Sequence, residues 1–403
     1  MINYKKIYNH IKNLRMFVLI VDWARPGSGL FQGCLDGHNE ILQIPGIFRF
    51  TNIWRDIKKQ NNQSLEKLIK EFINHSKIVP IFESKKQKSE RWDQLGKNKN
   101  KSFKTSKKKF SLHMKNLLKN KKIDSKNFFL AAHASYFLSR NKNPLKTKVL
   151  FCHLHRYYEV IDHEKDFPNS NYIVITRDIR NGLVSYIESR KRSSSHAPET
   201  IYNCLAGAVR SLNLNNNQNF IFSLFTHYNL KKTINKLKFV SYKHLHEKPE
   251  LVLKSVCKDL RIKFSKNILF KTTVNGLIWW GDKGSKKKFT GFSVKRANEI
   301  KWEKKLSYLD LLVMEILFFP YINSFLYKRN FNNFSINLGR IFLPILIFFP
   351  MKYELKFFLD GLKNKNKKFN FIKKSFYCYF KRVKIYLEAI ISNLKINKKI
   401  IAY

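Results

Sequence analysis

Cysteine is scarce and scattered. The five cysteines, Cys34, Cys152, Cys204, Cys257 and Cys378, are odd in number and form no Cys-x-x-Cys pair. That excludes a disulfide framework and a structural zinc site and fits a reducing compartment. Long apolar runs are missing as well: nothing reaches the ~20 residues that a spanning helix needs. The longest stretch, 341–350, is interrupted by Pro344, and the run at 16–21 is too short for the core of a signal peptide. These absences predict a cytoplasmic chain, with contact at the inner face of a membrane left open. Internal repeats are absent too. Acidic residues are few, 28 against 78 Lys and Arg, for a net charge of +50. Either an anionic partner or a codon-level bias towards Lys, Asn, Ile and Phe accounts for the surplus. The bias covers most of it, because those residues are abundant along the whole chain.

What is present is a core-forming composition, 44% hydrophobic and 15% aromatic in 403 residues. It suits one large α/β domain, alone or with an appendage. The continuous apolar run 16–21 predicts a strand buried on both faces of a parallel sheet. After a Gly-rich turn, Leu30, Phe31, Cys34 and Leu35 share a helical face, and Asp36-Gly37 supplies a stop. Further strands are predicted at 148–151, 172–176 and 239–242. Helices are predicted near 182–191 and over 249–260, with Pro249 in the first turn of the latter. This alternation predicts a three-layer α/β sandwich with a mostly parallel sheet.

Residues 85–109 carry eleven Lys or Arg against Glu90 and Asp93. They are expected to form a solvated loop, with a basic lid over an anionic ligand as the alternative. Beyond residue 330 lies a basic, aromatic-rich extension, expected to be helical. There Phe376, Phe380, Val383, Leu387, Ile390, Ile391 and Leu394 recur at three- and four-residue spacing. That is a basic amphipathic helix, to be packed on the main domain or laid on an anionic surface. The expected division is therefore 1–330 and 331–403.

Three places carry chemistry. Arg25, Pro26, Gly27, Ser28, Gly29 and Leu30 lie between a predicted strand and a helix. A Gly-x-Gly turn lets backbone N–H groups approach an anion, and the helix N-terminus adds positive charge. The Arg25 guanidinium and the Ser28 hydroxyl complete a phosphate cradle. The Gly-Lys-Ser/Thr ending of a Walker A loop is absent. Arg177 leaves the end of a strand and Ser185 follows eight residues on, in the next helix, so both can address one phosphate. His153 follows an apolar strand, and an imidazole with pKa near ~6.5 suits a general base; His155 is a nearby rival.

Together these segments resemble the PAPS-dependent sulfotransferases, a family with a P-loop-type fold. Residues 25–29 are similar to the family's 5′-phosphosulfate loop, with Pro26 in place of a serine and Gly29 in place of a second hydroxyl. Residues 30–38 are similar to its "LLxxLLDxH" helix. Arg177 and Ser185 match its 3′-phosphate motif "RDPRDxxxSY", with Arg180 on the supporting second arginine. Phe151-Cys-His-Leu154 stands where the cytosolic branch has Lys-Thr-His-Leu with a histidine base, whereas other branches use a glutamate. Val240-Ser-Tyr-Lys-His-Leu245 resembles "YEDL", which would put Tyr242 against the adenine, with Lys243 replacing the acid. Residues 276–288 are loosely similar to the late Gly- and Lys-bearing loop, which implies donor contacts at Lys286 and Lys287.

The resemblance covers about residues 16–330. It implies sulfuryl transfer from PAPS to an acceptor hydroxyl, with release of PAP and no metal. Arg25 and the loop amides would stabilise the leaving charge. A glycan or lipid-linked acceptor is favoured, since the C-terminal helix could hold the chain near an anionic membrane. The rivals are a nucleotide kinase, which lacks its loop lysine here, and a basic nucleic-acid- or membrane-binding protein. A non-catalytic PAP- or glycan-binding member of the fold is the third.

Overall fold

A computed structural model describes residues 2–21, 26–58, 64–154, 157–192, 201–206, 237–283, 288–299, 301–363 and 368–394. Its centre is a five-stranded sheet in the order β2-β3-β1-β4-β5. The strands are β1 (Arg15–Ile20), β2 (Ile41–Gln43), β3 (Val149–Leu154), β4 (Asn171–Thr176) and β5 (Leu237–Ser241). Every neighbouring pair is parallel. Apolar residues alternate between two faces. Val18, Ile20, Leu150, Cys152 and Val174 belong to one core cluster, while Phe17, Leu19, Val149, Phe151 and Ile175 belong to the other. Both faces are therefore buried, which is why the strands read as unbroken apolar runs.

On the second face lie α2 (Ser28–Leu35) and, further along the chain, α11 (Pro249–Leu260). The first face is covered by a thicker layer that includes α1 (Tyr4–Lys12), α3 (Phe50–Ile57), α4 (Leu65–Asn74), α6 (Lys107–Leu118) and α7 (Ser125–Ser139). The short α5 (Val79–Phe82), together with α8 (Tyr157–Asp166), α9 (Ile179–Arg192) and α10 (Tyr242–Glu247), also belongs to this part of the chain. The fold is thus the α/β three-layer sandwich expected, with a helical C-terminal region of α12 (Tyr308–Leu317), α13 (Asn333–Leu346), α14 (Lys352–Lys363) and α15 (Lys368–Leu394). Ile385, Tyr386 and Ala389 of α15 join the same core cluster as Ile7 of α1.

Three local expectations change. β3 runs to Leu154, so His153 lies inside a strand and is buried rather than following its end. Tyr242 is not the last residue of a strand but the first of α10. Residues 85–106 are not an open loop. Trp92, Leu95 and Phe103 are buried with Val274 and Trp279, and the indoles of Trp279 and Trp280 donate to the carbonyls of Glu90 (2.6 Å) and Gly96 (2.8 Å). The lysines sit on the outside of a segment whose aromatic residues face inward.

Candidate functional site

A cavity of about 920 Å³ opens at the carboxyl edge of the sheet. That is the edge where open parallel sheets receive ligands, and its size suits a nucleotide-sized molecule. Pro26 to Leu30, His153, Arg177, Ser185 and Tyr242 all line it. Residues far apart in sequence thus share one space because each follows or ends a parallel strand. Arg25, Lys286, Lys287 and the rival base His155 lie outside the described residues. Lys288, the next lysine along, lines the cavity.

The Gly-rich turn is built to bring backbone close to its neighbours. Gly27 has φ 100°, a left-handed conformation, and a Cβ on it would overlap the Tyr242 ring. Gly29 lies under Trp279, whose ring would stand 2.8 Å from an added Cβ. α2 begins at Ser28, and the N–H groups of a helix's first turn have no intrahelical acceptors. The Arg177 guanidinium lies 4.8 Å from the centre of the same Tyr242 ring. The loop, the end of β4 and the start of α10 therefore meet at one aromatic side chain.

Arg180 turns the other way. It is fully buried, donates to both carboxylate oxygens of Asp178 (3.0 and 2.8 Å) and pairs with Glu315. Its guanidinium stacks 4.1 Å from the Trp302 ring. It therefore holds the turn after β4 against α12 and does not line the cavity. Asp36, at the end of α2, accepts from the Thr273 hydroxyl and the Gly276 N–H, each at 2.7 Å. His38 bonds the Lys263 carbonyl at 2.8 Å. The acid and histidine that end the helix are thus structural braces.

Sequence reasoning missed four side chains. Gln32 of α2 donates its amide to the carbonyls of Ile44 (3.2 Å) and Gly46 (3.1 Å). With the NH₂ committed to two acceptors, Oε1 must accept the 2.9 Å hydrogen bond from His153 Nδ1. Neutral His153 then carries its proton on Nδ1, and Nε2 is its basic nitrogen. Gln43, at the end of β2, lines the cavity with both amide atoms buried and unpartnered. His246 lies one turn after Tyr242, with the two rings 4.4 Å apart and edge-on. Its Nδ1 accepts from the Ser293 N–H at 3.0 Å, and its buried Nε2 has no partner. Burial first, then Arg296 and Arg177, pushes its pKa down to about 4. It is thus a neutral donor at the cavity wall, and Arg296 beside it completes the set. Two signals were available: a glutamine in an apolar strand, and a Tyr-x-x-x-His spacing on one helical face.

The fold and cavity define a class: an α/β protein with a polar, partly basic cleft at the carboxyl edge of a parallel sheet. No protein-family model matches the sequence, and no curated protein sequence matches it. Among solved structures, the chain is similar to the sulfotransferase domain of a Synechococcus olefin synthase. The identity there is 16%, over 65% of this chain and 78% of that one, with a TM-score of 0.38. It is also similar to the sulfotransferase domain from the curacin biosynthetic pathway, at 14% identity over 72% of this chain and 88% of that one, with a TM-score of 0.37. At that distance the likeness carries no argument about the reaction.

Proposed function

We propose that the protein transfers a sulfuryl group from PAPS to an acceptor hydroxyl, releasing PAP, with a glycan or lipid-linked acceptor favoured. One observation carries the reading. The residues matching the two phosphate motifs and the base of the sulfotransferase pattern, Pro26 to Leu30, Arg177, Ser185 and His153, line a single cavity although they are far apart in sequence. The residues present suit a nucleotide that carries two separate anionic groups. A loop too tight for any side chain at Gly27 meets Arg177, Ser185 and a buried imidazole N–H at His246.

In this reading Arg177 and Ser185 hold the 3′ phosphate, and the α2 N-terminus and residues 26–30 hold the 5′ end, with Arg25 beside them. Tyr242 packs against the adenine. Lys286 and Lys287 close over the donor. PAPS supplies the sulfuryl group. His153 Nε2 takes the acceptor proton, with the imidazolium steadied through Nδ1–H by Gln32. Loop amides preset towards the leaving oxygen stabilise its charge without reorganising.

Calorimetry with PAP against ATP tests the donor half. PAP is expected to bind more tightly, and Arg177→Ala to weaken it about tenfold or more, as the loss of a charged hydrogen bond does. If PAP fails to bind, or Arg177→Ala leaves binding untouched, the reading is wrong. His153→Ala is expected to lower turnover by about 10² or more while sparing PAP affinity. PAP binding without transfer to any acceptor fraction would leave a non-catalytic PAP-binding protein.

A further inference from the structure

The C-terminal helices turn apolar side chains outward. On α13, Phe334, Leu338, Ile341 and Ile345 lie within one narrow arc and all face solvent, with Phe334 74% and Ile341 72% exposed. The buried face of that helix is the opposite one, Ile336, Gly339 and Leu343. α14 repeats the arrangement with exposed Leu355, Leu359 and Leu362. α15 does so with Phe369, Phe376, Phe380 and Leu387. Of the amphipathic stripe expected on α15, Val383 is buried and Ile390 packs on the core, whereas Phe376, Phe380 and Leu387 face outward. A different set, Arg382, Ile385, Tyr386 and Ala389, anchors the helix to the core.

The helices that carry these stripes touch one another. The Tyr379 hydroxyl of α15 donates to the Phe348 carbonyl just beyond α13 at 2.5 Å, and the Phe358 and Phe376 rings of α14 and α15 lie 5.7 Å apart. Solvent-facing apolar area on this scale marks a binding surface.

Charge selects the occupant. At 100° per residue, Lys352, Lys356 and Lys363 run along one flank of the α14 stripe, and Lys373, Lys381 and Lys384 along one flank of the α15 stripe. Residues 331–403 hold fifteen Lys and Arg against three Asp and Glu. A second copy of this face would set those lysines against one another. An anionic lipid bilayer satisfies both parts at once, since apolar side chains enter the headgroup–acyl boundary and lysines reach the phosphates. Among the described residues no helix is long and apolar enough to cross a membrane, so these helices would lie in the interface plane. We propose that α13, α14 and α15 form a docking face for an anionic membrane surface.

Flotation of the full chain with vesicles tests this. Vesicles of phosphatidylcholine mixed with phosphatidylserine are expected to carry the protein, and phosphatidylcholine alone to bind it at least about tenfold more weakly. Ile341→Ser with Ile345→Ser is expected to weaken binding about tenfold or more. Lys356→Gln, Lys363→Gln and Lys373→Gln are expected to weaken it about fivefold each, with binding falling as salt rises. All five positions are exposed, and an unchanged melting temperature shows that the variants fold. Absence of flotation overturns the proposal, as does flotation that neither set alters. A dimer that Ile341→Ser with Ile345→Ser dissolves, without flotation, assigns the face to a second copy and overturns it too.

Discussion

Gly27 holds a left-handed φ while the space its Cβ would need is taken by Tyr242. Gly27→Ala must therefore rotate the backbone or push the ring away, at a cost of about 1–2 kcal/mol from conformation alone. Either movement displaces the N–H groups that face the cavity. PAP affinity is expected to fall about tenfold or more, read by calorimetry, with a smaller loss in a Tyr242→Ala background where the overlap is gone. Gln32 acts through His153 and is a positioning residue. Gln32→Leu keeps the volume but frees the imidazole to take either tautomer. Turnover is expected to fall roughly tenfold to a hundredfold while PAP affinity stays within about twofold. Nitrogen NMR shifts of His153 should lose the Nδ1–H signature; a fall in turnover with that signature intact would assign Gln32 a merely structural role.

At the scale of elements, the junction of β4 and α9 carries two arginines three residues apart with opposite fates, Arg177 in the turn and Arg180 in the first turn of the helix. Arg180 is enclosed by Asp178, Glu315 and Trp302, whereas Arg177 lines the cavity. Arg180→Gln leaves buried carboxylates without their cation and is expected to cost about 3–5 kcal/mol in urea unfolding. Arg177→Ala is expected to cost about 1 kcal/mol or less and to act on donor affinity instead. The sequence alone ranked both by motif position, because spacing shows that two side chains leave one junction and not which way each points. The same limit runs through the fold. Residues 249–260 were legible to the residue, since Pro249 opens the helix and Arg261 closes it in a left-handed conformation. The order in residues 85–106 was not, because its partners, Val274, Trp279 and Trp280, lie far along the chain and leave no local pattern. Gln32 was missed for that reason as well, since it reaches His153 from far along the chain. Periodicity marked α15 as amphipathic, but its orientation is set by Arg382 reaching Glu354 (2.7 Å) and the Ile347 carbonyl (2.9 Å).

Over the whole molecule, acid should act mainly through buried neutral histidines. His133 and His163 flank Phe129 in one aromatic cluster, with ring centres 4.3 and 5.8 Å from it. Burial pushes His133 down to about 4, and burial followed by the neighbouring His133 pushes His163 down to about 3, from an ordinary 6.5. The unfolded chain therefore binds protons more readily than the folded one as pH falls below about 6.5. Stability is intact above that value and is lost progressively towards about 4 and below. By about pH 5 each histidine costs about 2 kcal/mol, a sizeable share of the ~5–15 kcal/mol that holds a typical domain. Glu315 and Glu354, raised by burial, act in the opposite direction, because the folded chain binds their protons more readily. The histidine share is thus read from a variant rather than from wild type alone. His163→Phe suits the aromatic pocket of Phe129 and Phe167. Urea unfolding at about pH 7 and about pH 5 should show a loss smaller by about 2 kcal/mol in that variant. The ionic strength must be held constant, since a +50 chain repels itself and salt alone would stabilise it. An equal loss in both proteins would place the acid sensitivity elsewhere than in this cluster.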